Sequence, residues 1–331
     1  MRRIALATLL PFCVLAAPAA AQQPPVARRQ EPAASRRIPA DWPRVDADRL
    51  LADIRFLASD ALAGRRVGTA GNARAREYVL AAFRRIGLEP AGDGYTREFR
   101  FIGRRDSVEY HGTNVVGMIR GTEHPDRYIV LTAHYDHVGI GAADASGDSI
   151  YNGADDNASG TAALLALAAY FQEHRPAHSI LFAALDAEEM GLQGARAFVR
   201  HPPVPLASIA VNVNMDMVGR NEKGELYVAG THHYPFLKPY VERIAARAPV
   251  RLLTGHDSPD LPEGQDWTGA SDHGAFHAAK IPFLYFGVED HPDYHRPSDE
   301  IDGIQPDFFT AAVETVLAVV LELDRNPPQA R

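Results

Sequence analysis

Several short segments of the chain carry side chains suited to metal-assisted hydrolysis. His134 and Asp136 form a His-x-Asp pair, and Asp156 lies within Asp155-Asp156-Asn157. Glu188 and Glu189 are adjacent, Asp216 follows an apolar run, and His295 sits in Asp293-Tyr294-His295-Arg296-Pro297-Ser298-Asp299. Two histidines with several carboxylates make a mixed N/O donor set that suits zinc or a similar divalent ion. If Asp156 bridges, each of two ions receives one His, one further carboxylate and a share of Asp156. Water between ions roughly 3.5–4 Å apart becomes a nucleophile at neutral pH. A base must then take its proton and pass it to the leaving nitrogen. Of the pair Glu188-Glu189, one can bind metal while its neighbour faces the water. Asp136 is placed to hold the second nitrogen of the His134 ring.

Apolar runs supply the positioning. Tyr128 to Ala133 leads into His134, Ser179 to Leu185 leads to Glu188-Glu189, and Ile209 to Met215 leads to Asp216. Ile281 to Phe286 precedes the His295 loop. Such mostly apolar runs predict strands buried on both faces. Shorter strands are expected at Phe99 to Ile102, Asn114 to Met118, Tyr227-Val228 and Val250 to Leu253. Helices are expected over Asp46 to Leu57, Asn72 to Ile86 with Gly87 as its stop, and Thr161 to Glu173. Others run from Gly191 to about Arg200, near Phe236 to Ala248, and from Asp307 to Leu323. This alternation predicts one α/β sheet covered on both faces, within residues 46–325. Ligands in such folds gather outside the carboxyl ends of the strands, where His134, the pair Glu188-Glu189 and Asp216 fall. Thr254 to Gly274 is read as one long loop carrying Trp267, and loops of that length tend to be functional.

Of the 331 residues, 46% are hydrophobic and 23% charged, an ordinary soluble balance. The net charge of −8 argues against nucleic acid as a partner. Residues 1–21 read as an export signal: Arg2 and Arg3, the apolar run Ile4 to Ala17, then small residues up to a cleavage site near Ala21. The run is too short for a membrane span, so the mature protein is expected to be periplasmic or secreted, with none. Cys13 is the only cysteine, so a core and metals, not disulfides, must stabilise the rest. Residues 22–45 are read as a flexible tether. Asp155 and Asn157 are expected to be helix-entry and turn residues. His137, His232, His233, His256 and His291 are expected at the surface, and Asp272 and His273 as structural residues of the site's rim.

AHYDH, GADDNASG, DAEEMGLQGA, NMDMVG and YHRPSD, in that order, resemble the M28 family of zinc aminopeptidases. The resemblance runs from about Leu50 to Leu323 and includes Ser271-Asp272-His273 and Lys280-Ile281-Pro282. It implies a zinc-exopeptidase fold: a single domain with a mixed, mostly parallel β-sheet sandwiched between helices. It also implies two Zn2+ per chain and peptide substrates cut at the N-terminal residue. On this likeness His134, Asp156 and Asp216 hold one zinc, and Asp156, Glu189 and His295 the other. Glu188 is then the general base and acid, and Tyr294 assists the carbonyl oxygen. The insert 138–151, with Asp144 and Asp148, departs from the family pattern. Carboxypeptidase or dipeptidase action on the same metals remains an alternative, because specificity lies in rim loops. A one-zinc glutaminyl cyclase fits less well, since His134 and Asp216 are both present. A non-catalytic binding protein would be expected to lose ligands, and none is missing.

Overall fold

A computed structural model describes residues 38–262, 264–326 and 328. The export signal and most of the tether lie outside the described residues. Helix α1 (Ala47–Leu57) starts where the Asp46 carboxylate accepts the N–H of Arg49, and it buries Leu50, Ile54 and Leu57. Helix α2 (Ala70–Ile86) is capped by Thr69 and stopped by Gly87, whose φ of 89° a residue with a side chain adopts with strain.

Strands β1 (Glu89–Pro90), β2 (Thr96–Ile102), β3 (Glu109–Ile119) and β4 (His124–His134) follow. A small hairpin of β5 (Gly139–Ile140) and β6 (Ile150–Tyr151) occupies the insert 138–151, which is thus an ordered antiparallel pair with Asp144 and Asp148 near its tip. Then come α3 (Gly160–Glu173), β7 (His178–Leu185), α4 (Gln193–Arg200), β8 (Ile209–Met215), β9 (Glu225–Ala229), α5 (Lys238–Ala245) and β10 (Arg251–Thr254). Helix α6 (His273–Ala278), strand β11 (Phe283–Gly287) and helix α7 (Pro306–Arg325) complete the order.

The main sheet runs β1-β3-β7-β4-β8-β11-β9-β10, with β2 pairing the outer side of β3. Its centre, β7-β4-β8-β11, is parallel, and antiparallel pairs flank it on both sides. Every residue of β7, β8 and β11 is buried, as continuous apolar runs require. Alternate residues of β4 serve opposite faces. Ile129, Leu131 and Ala133 join α1, α2, α3 and α7 in the larger core, and Val130 joins Phe198 of α4 and Phe276 of α6 in the smaller one. The sandwich expected from the family resemblance is present, with its thicker helical layer on one side. Each fully buried Leu or Phe contributes about 1.5–3 kcal/mol.

Polar side chains inside the sheet pair with each other. Thr132 donates to Asn214 at 2.7 Å, and Asn212 donates to Thr132 at 2.9 Å. Two local expectations fail. Residues 38–45 are not tether: Trp42 is buried in the core and Arg44 pairs with Glu314 at 3.1 Å. The expected 254–274 loop already contains the start of α6, because His273, Ala275 and Phe276 find a buried face. Among the described residues, no helix is long and apolar enough to cross a membrane.

Candidate metal centre

The carboxyl ends of β4, β7 and β8 converge with the stretch before α3 and the loop after β11. His134, the last residue of β4, is fully buried. Its Nε2 lies 3.3 Å from Oδ1 of Asp156 and 3.3 Å from Oδ2 of Asp216, with no hydrogen-bond partner of its own. On its other side Nδ1 meets the carbonyl oxygen of Asp136 at 3.2 Å. The Asp136 carboxylate, expected at that nitrogen, stands off at 3.7 Å and instead accepts the backbone N–H groups of Glu188 at 3.0 Å and Glu189 at 3.4 Å.

Asp156 sits in an irregular turn ahead of α3, held from several sides. Asp299 accepts the N–H groups of Asp155 and Asp156 at 3.0 Å. Asn157 donates to the carbonyl of Met215 at 3.0 Å and accepts the N–H of Gly160 at 2.8 Å, tying the turn to the end of β8. With one oxygen towards His134, Asp156 turns its other, Oδ2, to His295 Nε2 at 2.9 Å. Glu189 Oε2 lies 3.2 Å from the same His295 nitrogen. Asp156 therefore belongs to both donor groups: His134, Asp156 and Asp216, and a second with His137, Glu189 and His295.

The donors fit a tetrahedral zinc. Ligands about 2.0–2.1 Å from one such ion sit roughly 3.3 Å apart, close to the His134 distances. The orphaned His134 Nε2 is a buried nitrogen of the kind an ion satisfies.

Glu188 lines a cavity of about 160 Å³ with Asp156, Asp216 and Tyr294. Burial pushes its carboxyl well above the usual range, and nearby Glu189 and Asp272 add to this against the pull of His134. Burial and Asp156 also raise Glu189, but the imidazoles of His137 and His295 outweigh both and bring it to about 2. Burial pulls His295 down, while the carboxylates of Asp156 and Glu189 lift it to about 10. Tyr294 stacks on His295 with ring centres 4.0 Å apart, and burial raises its hydroxyl further above the ordinary range.

Other residues stand where the sequence did not place them. His137, expected at the surface, is 1% exposed, with Nδ1 2.7 Å from Oε1 of Glu189. His291 is partly buried, with Nε2 3.2 Å from Asp155 Oδ2; His232 is exposed as expected. Asp155 does more than enter a helix: it is fully buried and accepts the N–H of Gly219 at 2.6 Å. Asp272 and His273 lie in the interior beside the site, not on its rim. Burial lifts the Asp272 carboxyl to about 8, Asp136 and Asp216 adding to it. Arg65, unremarked in the sequence, is fully buried. It donates to the carbonyls of Tyr135, Asn152 and Gly153 at 2.9, 2.5 and 3.0 Å, joining the loops that carry His134 and Asp156. The only sequence signals were an extra His inside AHYDH and an Arg after Gly64.

An α/β sheet with such donors at its carboxyl ends is a zinc-exopeptidase fold. Among solved structures, the zinc aminopeptidase BSAP from Bacillus subtilis superposes with a TM-score of 0.69 at 19% identity, covering 88% of this chain and 98% of that one. A glutaminyl cyclase from Bacteroides thetaiotaomicron bound to N-acetylhistamine also gives 0.69, at 21% identity, over 85% of this chain and 99% of that one. At these identities the likeness speaks for the fold alone. The model of peptidase family M28 matches residues 114–320, and the chain belongs to that family. Aminopeptidase YwaD of Bacillus subtilis (strain 168) is 33% identical over 220 residues, 63% of this chain and 44% of that protein. A probable zinc metalloprotease of Pyrenophora tritici-repentis (strain Pt-1C-BFP) is 32% identical over 160 residues, 47% of this chain and 36% of that protein. The chain thus spans less than half the length of these curated relatives.

Proposed function

We propose that this protein is an exported aminopeptidase that holds two zinc ions per chain and removes N-terminal residues from peptides. The observation that carries the reading is the pair of donor groups sharing Asp156, with the half-buried Glu188 lining the cavity beside them. His134, Asp156 and Asp216 would hold one ion, and Asp156, Glu189 and His295 the other. Zinc bound there supplies Lewis acidity to the scissile carbonyl and makes a water nucleophilic at neutral pH.

The chain's own groups do the rest. Glu188 takes the proton of the attacking water and delivers it to the leaving nitrogen. The Tyr294 hydroxyl, kept protonated at neutral pH, donates to the substrate carbonyl oxygen. Carboxylates around the cavity, Asp290 among them, attract the ammonium of a free N-terminus. Met217, Trp267, Ala270 and Val288 line the same cavity, whose volume of about 160 Å³ suits a single side chain.

The test is a panel of aminoacyl, N-blocked and C-terminal peptide substrates, with bound metal measured on the same sample. Release of free N-terminal residues with about two zinc ions per chain supports the reading. Cleavage only at C-termini, or only of dipeptides, moves the protein to carboxypeptidase or dipeptidase. Cyclisation of N-terminal glutamine with about one zinc per chain makes it a cyclase. Protein with neither metal nor turnover is a binding module. Export is checked by the mass of the mature protein, expected to begin near residue 22.

A further inference from the structure

His137 is the buried histidine of the site that the two-metal reading leaves without a role. Its ring packs against Gly153, where a Cβ would stand 2.5 Å from the ring's Cδ2, so this approach depends on glycine. Its Nδ1 meets Oε1 of Glu189 at 2.7 Å and lies 3.7 Å from the nearer Asp156 oxygen. The Nε2 atom has no partner.

Two arrangements would use this ring. Nδ1 could give its lone pair to an ion, or it could donate a proton to Glu189. A length of 2.7 Å is that of a charge-assisted hydrogen bond. It is also shorter than the 2.9–3.3 Å that separates the donors assigned as ligands. The orientation agrees with the hydrogen bond. His295 Nε2 converges on two oxygens, Asp156 Oδ2 at 2.9 Å and Glu189 Oε2 at 3.2 Å, as a ligand should, whereas His137 Nδ1 closes on one.

We infer that His137 is a positioning residue of the second metal site: its Nδ1–H holds Oε1 of Glu189, so that this carboxylate offers only Oε2 to the ion. The inference rests on the two-metal reading above. Glu189 then binds through one oxygen, and its rotation is fixed by a partner from the loop that also carries His134. Removing that partner frees Glu189 to turn, and groups in this relation to a ligand typically change metal affinity 10–100-fold.

The experiment compares the wild-type protein with His137→Ala and His137→Asn, the asparagine amide replacing the Nδ1–H donor. Zinc retention is read by competition with a chromophoric chelator, and the coordination of substituted Co2+ by its visible absorption. Expected for His137→Ala is a roughly 10–100-fold weaker hold on one ion, with the other unchanged and the cobalt bands altered. His137→Asn restores both affinity and bands. If His137→Asn loses the ion as fully as His137→Ala, the histidine is a direct ligand and the inference fails. It also fails if His137→Ala retains both ions as the wild type does. A wild type that holds one ion overturns the two-metal reading instead. The same comparison on that ion still decides how Glu189 is held, and an unchanged affinity in His137→Ala refutes it.

Discussion

Oδ1 of Asp136 accepts the backbone N–H of Glu188 at 3.0 Å, so the acid beside the first histidine fixes the residue placed to handle the proton. The same side chain reaches the N–H of Glu189 at 3.4 Å, and the Asp136 carbonyl meets the His134 ring. One residue just past the end of β4 thus meets both the His134 ring and the turn after β7. Asp136→Asn keeps one acceptor but turns an NH2 towards a backbone N–H. Turnover should fall about 10–100-fold with zinc content less affected, read by steady-state kinetics beside metal analysis. Wild-type turnover would show that the clamp is dispensable.

Glu188→Gln removes the base while keeping the shape of the side chain. The variant should retain its metal and lose about 10²–10⁴-fold in turnover. Aminoacyl hydrolysis at near wild-type rate would refute the assignment of Glu188 as base.

Loading with zinc should release protons. In the metal-free chain the carboxylates of Asp156 and Glu189 outweigh burial and raise His295 to about 10, above its ordinary 6.5. A raised pKa of this kind stabilises the metal-free fold fully below pH 6.5, and that contribution is lost as pH climbs towards 10. A ligand nitrogen must be free of its proton, so zinc affinity should rise with pH across the same window. Calorimetric titration near neutral pH in buffers of different ionisation heat measures the protons expelled. A heat independent of the buffer would contradict the protonated state of His295.

Arg65→Lys should destabilise the fold and loosen the metal together. Lysine cannot reproduce the planar fork that serves the carbonyls of Tyr135, Asn152 and Gly153. Leaving buried acceptors unpaired costs about 1–3 kcal/mol each. Thermal unfolding of the loaded and chelated protein measures both effects, and equal midpoints for variant and wild type would remove Arg65 from this role.

The central strands were legible because each is a mostly apolar run buried on both faces, and Ile180 to Leu185 states this in composition alone. Of the residues expected as ligands, His134 and Asp216 stand at strand ends and Asp156 at a helix entry, while Glu189 and His295 lie in the turns that follow β7 and β11. Residues fixed by partners distant in sequence were hidden. His137 reads as a surface histidine until Glu189 and Gly153 enclose it. Trp42 reads as tether until the core covers it. Asp136 was expected to work through its carboxylate at His134, and only the fold reveals that its carbonyl faces the ring while the carboxylate is engaged elsewhere.

Asp299 holds the N–H groups of Asp155 and Asp156 from the loop that also carries His295. The turn bearing the shared carboxylate is therefore braced across 143 positions of sequence by the same loop that brings the second candidate histidine. A break in that loop would release His295 and the turn before α3 at one stroke, so these two donors should be lost together and not one at a time.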